Sequence, residues 1–180
     1  MHYGNLKKFD IANGEGVRIS LFVSGCTNRC RNCFQPQTWD FRYGKSYTEK
    51  TEQEILDFLA LDYVDGLSLL GGEPMEPGNQ GPLRALCRRV KEERPDKTIW
   101  CYTGCVYEKD LVPGGKNYTS DTDPLLDAID VLVDGPFIEE EKDISLIFRG
   151  SANQRIIDMK KTRESGSVVL YPLEKTLGTI

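Results

Sequence analysis

The sequence predicts one α/β domain built around a parallel sheet, and three observations carry that expectation. Strand-like and helix-like patterns alternate along the chain, as parallel neighbours require of their crossover connections. A length of 180 residues is enough for one buried core and short for two, so residues 1–180 read as a single domain with a less ordered tail after about 172. Glycine- and cysteine-bearing turns follow the strand-like runs, and α/β folds gather ligands at the C-terminal ends of their strands.

Residues 17–23 (VRISLFV) alternate and are rich in Val, Ile and Phe, which predicts the first strand. Thr51 with Glu54 three residues on reads as a capping box, opening a helix that buries Ile55, Leu56 and Leu59. The apolar run 66–70 (GLSLL), stopped by Gly71-Gly72, predicts the second strand. Leu83, Leu86, Cys87 and Val90 fall at helical spacing, and Pro95 ends that helix. A third strand is expected at 98–102 (TIWCY), then a short helix near 105–111. Asp123-Pro124 supplies an N-cap and an N1 proline for a helix through about 129. Further strands are expected at 130–134 (DVLVD), 154–158 (QRIID) and 168–171 (VVLY), and residues 112–122 read as a mobile loop.

The net charge is −5 with no block of Lys or Arg, which leaves nucleic-acid binding without electrostatic support. Lys7, Lys8 and Asp10 interrupt the N-terminus before any signal-peptide pattern develops. No run approaches the ~18 apolar residues of a membrane span. Six cysteines without a secretory signal point to reduced thiols in the cytoplasm, where clustered Cys bind metals more often than they pair.

Cys26, Cys30 and Cys33 form a C-x3-C-x2-C triplet just after the first predicted strand. A short loop costs little closure entropy, so three thiolates can converge on one metal centre. A structural zinc site takes four protein ligands, and an electron-transfer iron–sulfur cluster usually takes four cysteines. Three thiolates leave a position open for a substrate or cosubstrate. Gly71-Gly72-Glu73-Pro74, Tyr102-Thr103-Gly104 and Asp134-Gly135-Pro136 follow the next three strands, which places them on one rim with the triplet. Without Cβ atoms, Gly71 and Gly72 allow close approach of backbone to a ligand, although a lone Gly-Gly reads as an ordinary turn.

The triplet, with Gly71-Gly72-Glu73-Pro74 after the second strand, resembles the radical S-adenosylmethionine superfamily. Asn13-Gly14-Glu15-Gly16-Val17-Arg18, Thr38-Trp39, Tyr102-Thr103-Gly104, Asp134-Gly135-Pro136-Phe137 and residues 148–156 (FRGSANQRI) narrow it. Together they resemble the family that activates anaerobic (class III) ribonucleoside-triphosphate reductases, over about residues 4–158. The resemblance implies an open, partial parallel β/α barrel, which periodicity alone does not separate from a doubly wound sheet. It implies that Cys26, Cys30 and Cys33 hold a 4Fe–4S cluster whose fourth iron binds S-adenosyl-L-methionine. Reductive cleavage then yields a 5′-deoxyadenosyl radical that takes hydrogen from a glycine of the reductase large subunit. The electron comes from a low-potential donor such as flavodoxin or ferredoxin. By the same resemblance Gly71, Gly72, Glu73 and Pro74 bind the cosubstrate's ammonium end. Thr103 and Asp134 shape its carboxylate region, sometimes with a monovalent cation. Asn153 and Arg155 meet the cosubstrate or the partner peptide. Read without the family, Asp134 equally caps a turn, and an Arg beside a strand often holds a surface carboxylate.

The remaining features have plainer readings. Cys87 and Cys101 read as small buried hydrophobes, and no ligand set gathers around Cys101-x3-Cys105 for a second metal site. His2 lies in a terminal segment expected to fray. Glu139, Glu140, Glu141 and Asp143 read as a solvated loop, with partner docking as the other reading. Phe34, Trp39, Phe41 and Tyr43 either shield the cluster or pack a loop, and Arg29 and Arg31 flank the thiolates. Three further functions share these motifs: activation of another glycyl-radical enzyme of the pyruvate formate-lyase type, small-molecule radical biosynthesis, and a non-catalytic Cys-rich electron-transfer module. The chain has little material beyond its strand–helix core to build a small-molecule substrate domain.

Overall fold

A computed structural model describes residues 1–173, built on one seven-stranded sheet. Its strands are β1 (His2–Asp10), β2 (Arg18–Val23), β3 (Lys45–Ser46), β4 (Gly66–Gly71), β5 (Thr98–Tyr102), β6 (Val131–Asp134) and β7 (Arg155–Asp158). They lie in the order β3-β1-β2-β4-β5-β6-β7. The central strands β2, β4, β5 and β6 pair in parallel, while β1, β3 and β7 each pair antiparallel with their inner neighbour. The helices are α1 (Glu49–Leu59), α2 (Pro77–Glu93), α3 (Tyr107–Asp110), α4 (Thr122–Ala128) and α5 (Met159–Ser165). No helix among the described residues is long and apolar enough to cross a membrane.

The parallel core keeps one direction of travel, from β2 through β4 and β5 to β6. Right-handed crossovers with a monotonic strand order place every connecting helix on the same face. The core shows this directly. Ile55, Leu56 and Leu59 of α1, Leu83, Leu86 and Val90 of α2, and Leu125 and Leu126 of α4 pack on Ile19, Leu21, Leu67, Leu69, Ile99 and Leu132. Each such buried side chain contributes about 2 kcal/mol of apolar transfer free energy. Strand residues of opposite parity face away from the helices: Trp100, Val131, Val133 and Ile156 form a second cluster with Tyr102 and Phe148. The sheet is therefore helix-covered on one face only, and the other face is left for loops and a cavity.

Several expectations change in detail. The expected strand at 154–158 exists as β7 but runs antiparallel to β6. Residues 168–171 form only an isolated bridge, Ile157 to Leu170. The N-terminal segment is not frayed: His2 begins β1, pairs with Ser46 and meets its hydroxyl through Nε2 at 3.1 Å. The α1 capping box is Thr48 with Thr51, one turn earlier than expected, because the Thr51 hydroxyl rather than Glu54 receives the N-cap amide. Asp121, not Asp123, precedes α4. The 112–122 loop is pinned to α2. Gln80 Nε2 donates to the Asn117 carbonyl at 2.7 Å, and Asn117 Nδ2 donates to the Met75 carbonyl at 3.0 Å. The expected tail after about 172 lies, but for its first residue, outside the described residues.

The Asn13–Arg18 motif is explained by packing. Arg18 is fully buried, and its guanidinium donates to Ser68 Oγ, Thr98 Oγ1 and the carbonyls of Glu15, Leu67 and Thr98 at 2.7–3.0 Å. Burial lowers its pKa to about 10. At Gly14, φ is +119°, and a Cβ would lie 2.9 Å from both Arg18 and Trp100.

Candidate active site

β2 ends at Val23, and the chain turns through Ser24 and Gly25 into the cysteine loop. Gly25 has φ +98°, and a Cβ there would sit 2.3 Å from the Phe41 ring, so the loop closes only around a glycine. Gly25 N–H donates to the Thr38 carbonyl at 2.8 Å, and its own carbonyl accepts from Glu73 N–H at 2.9 Å. Glu76 Oε1 accepts both the amide and the hydroxyl of Thr27 at 2.6 Å. The cysteine loop is thus tied to the turn after β4.

Cys26, Cys30 and Cys33 are free thiols that line one cavity of about 510 Å³. That volume suits a nucleoside-sized ligand. The cavity lies on the helix-free face, at the C-terminal ends of β2, β4, β5 and β6. Gly71, Gly72, Glu73, Thr103 and Gly135 line it together with the apolar walls Phe22, Trp39, Leu70, Phe137 and Phe148. Four motifs separated by up to 109 positions in the chain, from Cys26 to Gly135, therefore meet at one site.

Burial pushes the Cys26 thiol up to about 11, against amide hydrogen bonds from the Asn28 and Arg29 backbone. Burial also raises Cys30. A bound metal reverses this, because a coordinating thiol is deprotonated outright. Among the described residues, no three His, Cys, Asp or Glu side chains gather as a site for a single metal ion. Cys26, Cys30 and Cys33 are three thiols lining one cavity, the ligand type that iron–sulfur clusters take. The donor set fits an iron–sulfur cluster on that chemistry.

The other expected site residues divide into two groups. Glu73 is buried and already accepts four hydrogen bonds: Thr103 Oγ1 and Met75 N–H at Oε1, Gly104 N–H and Asn28 Nδ2 at Oε2, at 2.6–2.9 Å. Gly72 does approach backbone closely, but that of its own chain, since a Cβ would lie 2.6 Å from the Gly25 carbonyl oxygen. Pro74, Asp134, Asn153 and Arg155 do not line the cavity. Asp134 is buried beneath it, accepting from Arg155 Nε at 2.9 Å, Arg155 Nη2 at 2.5 Å and Tyr107 N–H at 2.9 Å. Arg155 also grips Glu108 at 2.6 and 2.9 Å. Asn153 Nδ2 donates to the Pro136 carbonyl at 2.8 Å. Asn13, Asn28, Tyr102, Arg149 and Gln154 line the cavity without having been singled out as site residues. The Tyr102 hydroxyl and Arg149 Nε are buried with no hydrogen-bond partner, so both are available to a bound molecule.

A family model described as a 4Fe-4S single cluster domain matches residues 12–157. The anaerobic ribonucleoside-triphosphate reductase-activating proteins of Haemophilus influenzae and Vibrio cholerae are each 42% identical to the chain over 158 residues, covering 87% of it and 97% of their own length. The chain belongs to this family. The Escherichia coli (strain K12) activating protein is 38% identical over 156 residues, covering 86% of the chain and 96% of itself. No solved structure matches the chain. The span shared with the 4Fe-4S domain model opens at Ala12 and closes in β7, so it includes every residue lining the cavity. As a member of the activating-protein family, the chain is an iron–sulfur enzyme that uses S-adenosylmethionine.

Proposed function

We propose that this chain activates an anaerobic ribonucleoside-triphosphate reductase by raising a glycyl radical on its large subunit. The observation that carries the reading is the meeting of three free thiols with the Gly71-Gly72 turn in one nucleoside-sized cavity. Cys26, Cys30 and Cys33 would hold a 4Fe–4S cluster. When bound, that cluster supplies the electron that cleaves S-adenosylmethionine.

The chain's own residues do the rest. Gly71 and Gly72 lack side chains because the Val23 and Gly25 carbonyls crowd them, and the backbone they leave on the cavity wall would meet the cosubstrate's amino-acid end. Glu73 holds Thr103, Gly104 and Asn28 in place around it, acting as a brace because its lone pairs already have donors. Tyr102 and Arg149 offer the polar atoms left without partners. Phe22, Trp39, Phe137 and Phe148 keep water from a reactive carbon radical. Asp134 and Arg155 neutralise each other beneath the site and fix the β6 and β7 ends, so their contribution is to position Gly135 and Gln154. We read the helix-free face as the inner wall of an open, partial barrel. A low-potential flavodoxin or ferredoxin fits as the electron source.

The test is anaerobic. The iron-reconstituted protein is mixed with S-adenosylmethionine, a strong reductant and purified reductase. A glycyl-radical signal in electron paramagnetic resonance, matched by 5′-deoxyadenosine, supports the reading. Deoxyadenosine without a glycyl radical, on a reductase of proven competence, rejects it.

A further inference from the structure

Several large apolar side chains remain exposed at the cavity mouth. Among the described residues, six are more than half exposed: Ile144 (94%), Phe34 (81%), Ile11 (74%), Leu170 (63%), Tyr63 (59%) and Ile147 (52%). Three of these belong to the two loops that meet across the cavity mouth. Phe34 lines the cavity, and Ile147 lies between the lining residues Leu146 and Phe148. Ile144 lies two residues before Leu146 in the same loop. Exposed isoleucines clustered on one rim mark an interaction surface more strongly than the same number scattered.

The rim is also held in place. The cysteine loop and the 136–150 loop touch across the mouth: Phe34 and Phe137 rings are 6.4 Å apart, and Lys142 Nζ lies 5.6 Å from the Phe34 ring. Asn32 Nδ2 donates to Glu139, and Arg31 lies 3.8 Å from Glu139 and 3.9 Å from Glu140. Phe148 adopts φ +55°, a left-handed backbone unusual for a bulky residue, with its ring edge-on to Trp100 at 5.3 Å. That local strain persists because the surrounding packing holds it.

We propose that Phe34, Ile144 and Ile147 form the docking rim for the glycine-bearing segment of the reductase, an extended strand with apolar side chains flanking its glycine. The proposal rests on the activation reading above. A small cosubstrate fits inside the cavity and has no need of the rim. A glycine delivered by a protein reaches the cavity only by carrying its neighbours across that rim. The surface is continuous with the cavity mouth, and its three apolar side chains are otherwise unexplained.

The experiment compares the reconstituted full chain with an Ile144→Asp/Ile147→Asp double variant and a Tyr63→Asp control. Tyr63 is exposed at the opposite end of the sheet, on the turn before β4. In the double variant, iron content and 5′-deoxyadenosine formation without reductase stay at the wild-type level. Glycyl-radical yield on limiting reductase falls by about tenfold, with a matching rise in Kd for the reductase. The control changes neither. An unchanged radical yield in the double variant overturns the proposal. So does an equal fall in uncoupled cleavage, which would make the two isoleucines part of the cavity's support. A loss of self-association in sedimentation, without a change in Kd for the reductase, would assign the rim to a second copy of the chain. If the wild type cleaves its cosubstrate yet raises no glycyl radical, the activation reading itself falls and takes the rim with it.

Discussion

The Glu73 carboxylate accepts from Thr103, Met75, Gly104 and Asn28, and so joins the turns after β2, β4 and β5 around one buried charge. Burial pushes its pKa up, while those hydrogen bonds pull it down. A Glu73→Gln substitution keeps the shape but turns an NH2 group toward two donors at one of its ends. Leaving buried donors unmatched costs about 1–3 kcal/mol. The variant is expected to melt about 5 °C lower and to bind S-adenosylmethionine more weakly, read by calorimetry and by equilibrium titration. Unchanged melting and affinity would show that the brace is dispensable. The sequence singled out Glu73, because an acidic group after Gly-Gly at a strand end stands out, and the residue does line the cavity. Its role as a brace was not legible, since its partners sit 30, 31 and 45 positions away. The same distance hid Arg149 and Gln154: a polar loop residue looks alike in sequence whether it meets solvent or a cavity.

At the scale of elements, β2 was readable from its alternation, and β4, β5 and β6 from short apolar runs of buried strand. β1 was not. Only Tyr3 and Asp10 of its nine residues are buried, and shifts of register between Tyr3 and Asn5 and between Lys7 and Asp10 erase the period of two. What replaces periodicity is a polar lock at the end of the strand. The Asp10 carboxylate accepts from Lys7 Nζ, Asn13 Nδ2, Ser20 Oγ and the Ala12 amide. Burial would raise its pKa, but these donors outweigh it and bring it down to about 2 from 3.8. A carboxylate with a depressed folded-state pKa adds stability above its unfolded value and loses it as pH falls through the folded one. Asp10 therefore contributes about 2 kcal/mol above pH 4, lost between about pH 4 and pH 2. Urea melts of the iron-free wild type and of Asp10→Asn are expected to differ by that amount at pH 6 and to converge near pH 2. A gap that is constant with pH would mean the lock works without its charge.

For the whole molecule, the topology separates the fold from the chemistry. The monotonic order of the parallel strands sends the crossover helices to one face, where the main core lies, and leaves the cysteine-lined cavity on the other. Among the described residues, the buried main core passes from Val23 directly to Ile55, so the cysteine loop supplies none of it. The loop is tied at its base instead, through Ser24 to the His2 carbonyl, Gly25 to Thr38, and Glu73 to Gly25. A small zinc domain behaves differently, because there the metal replaces the core and its removal unfolds the chain. Here the binding free energy of a cluster adds to a fold that already stands. Removing iron with a chelator is thus expected to abolish cosubstrate binding while preserving far-ultraviolet dichroism and a single cooperative melt. Amide exchange should quicken in the cysteine loop, over about residues 26–43, and stay slow in β4, β5 and α2, where the backbone is buried in the core. Global loss of protection on iron removal would instead place the cluster among the determinants of the fold, and would mean that the anchors at Ser24, Gly25 and Glu73 do not hold the turns without it.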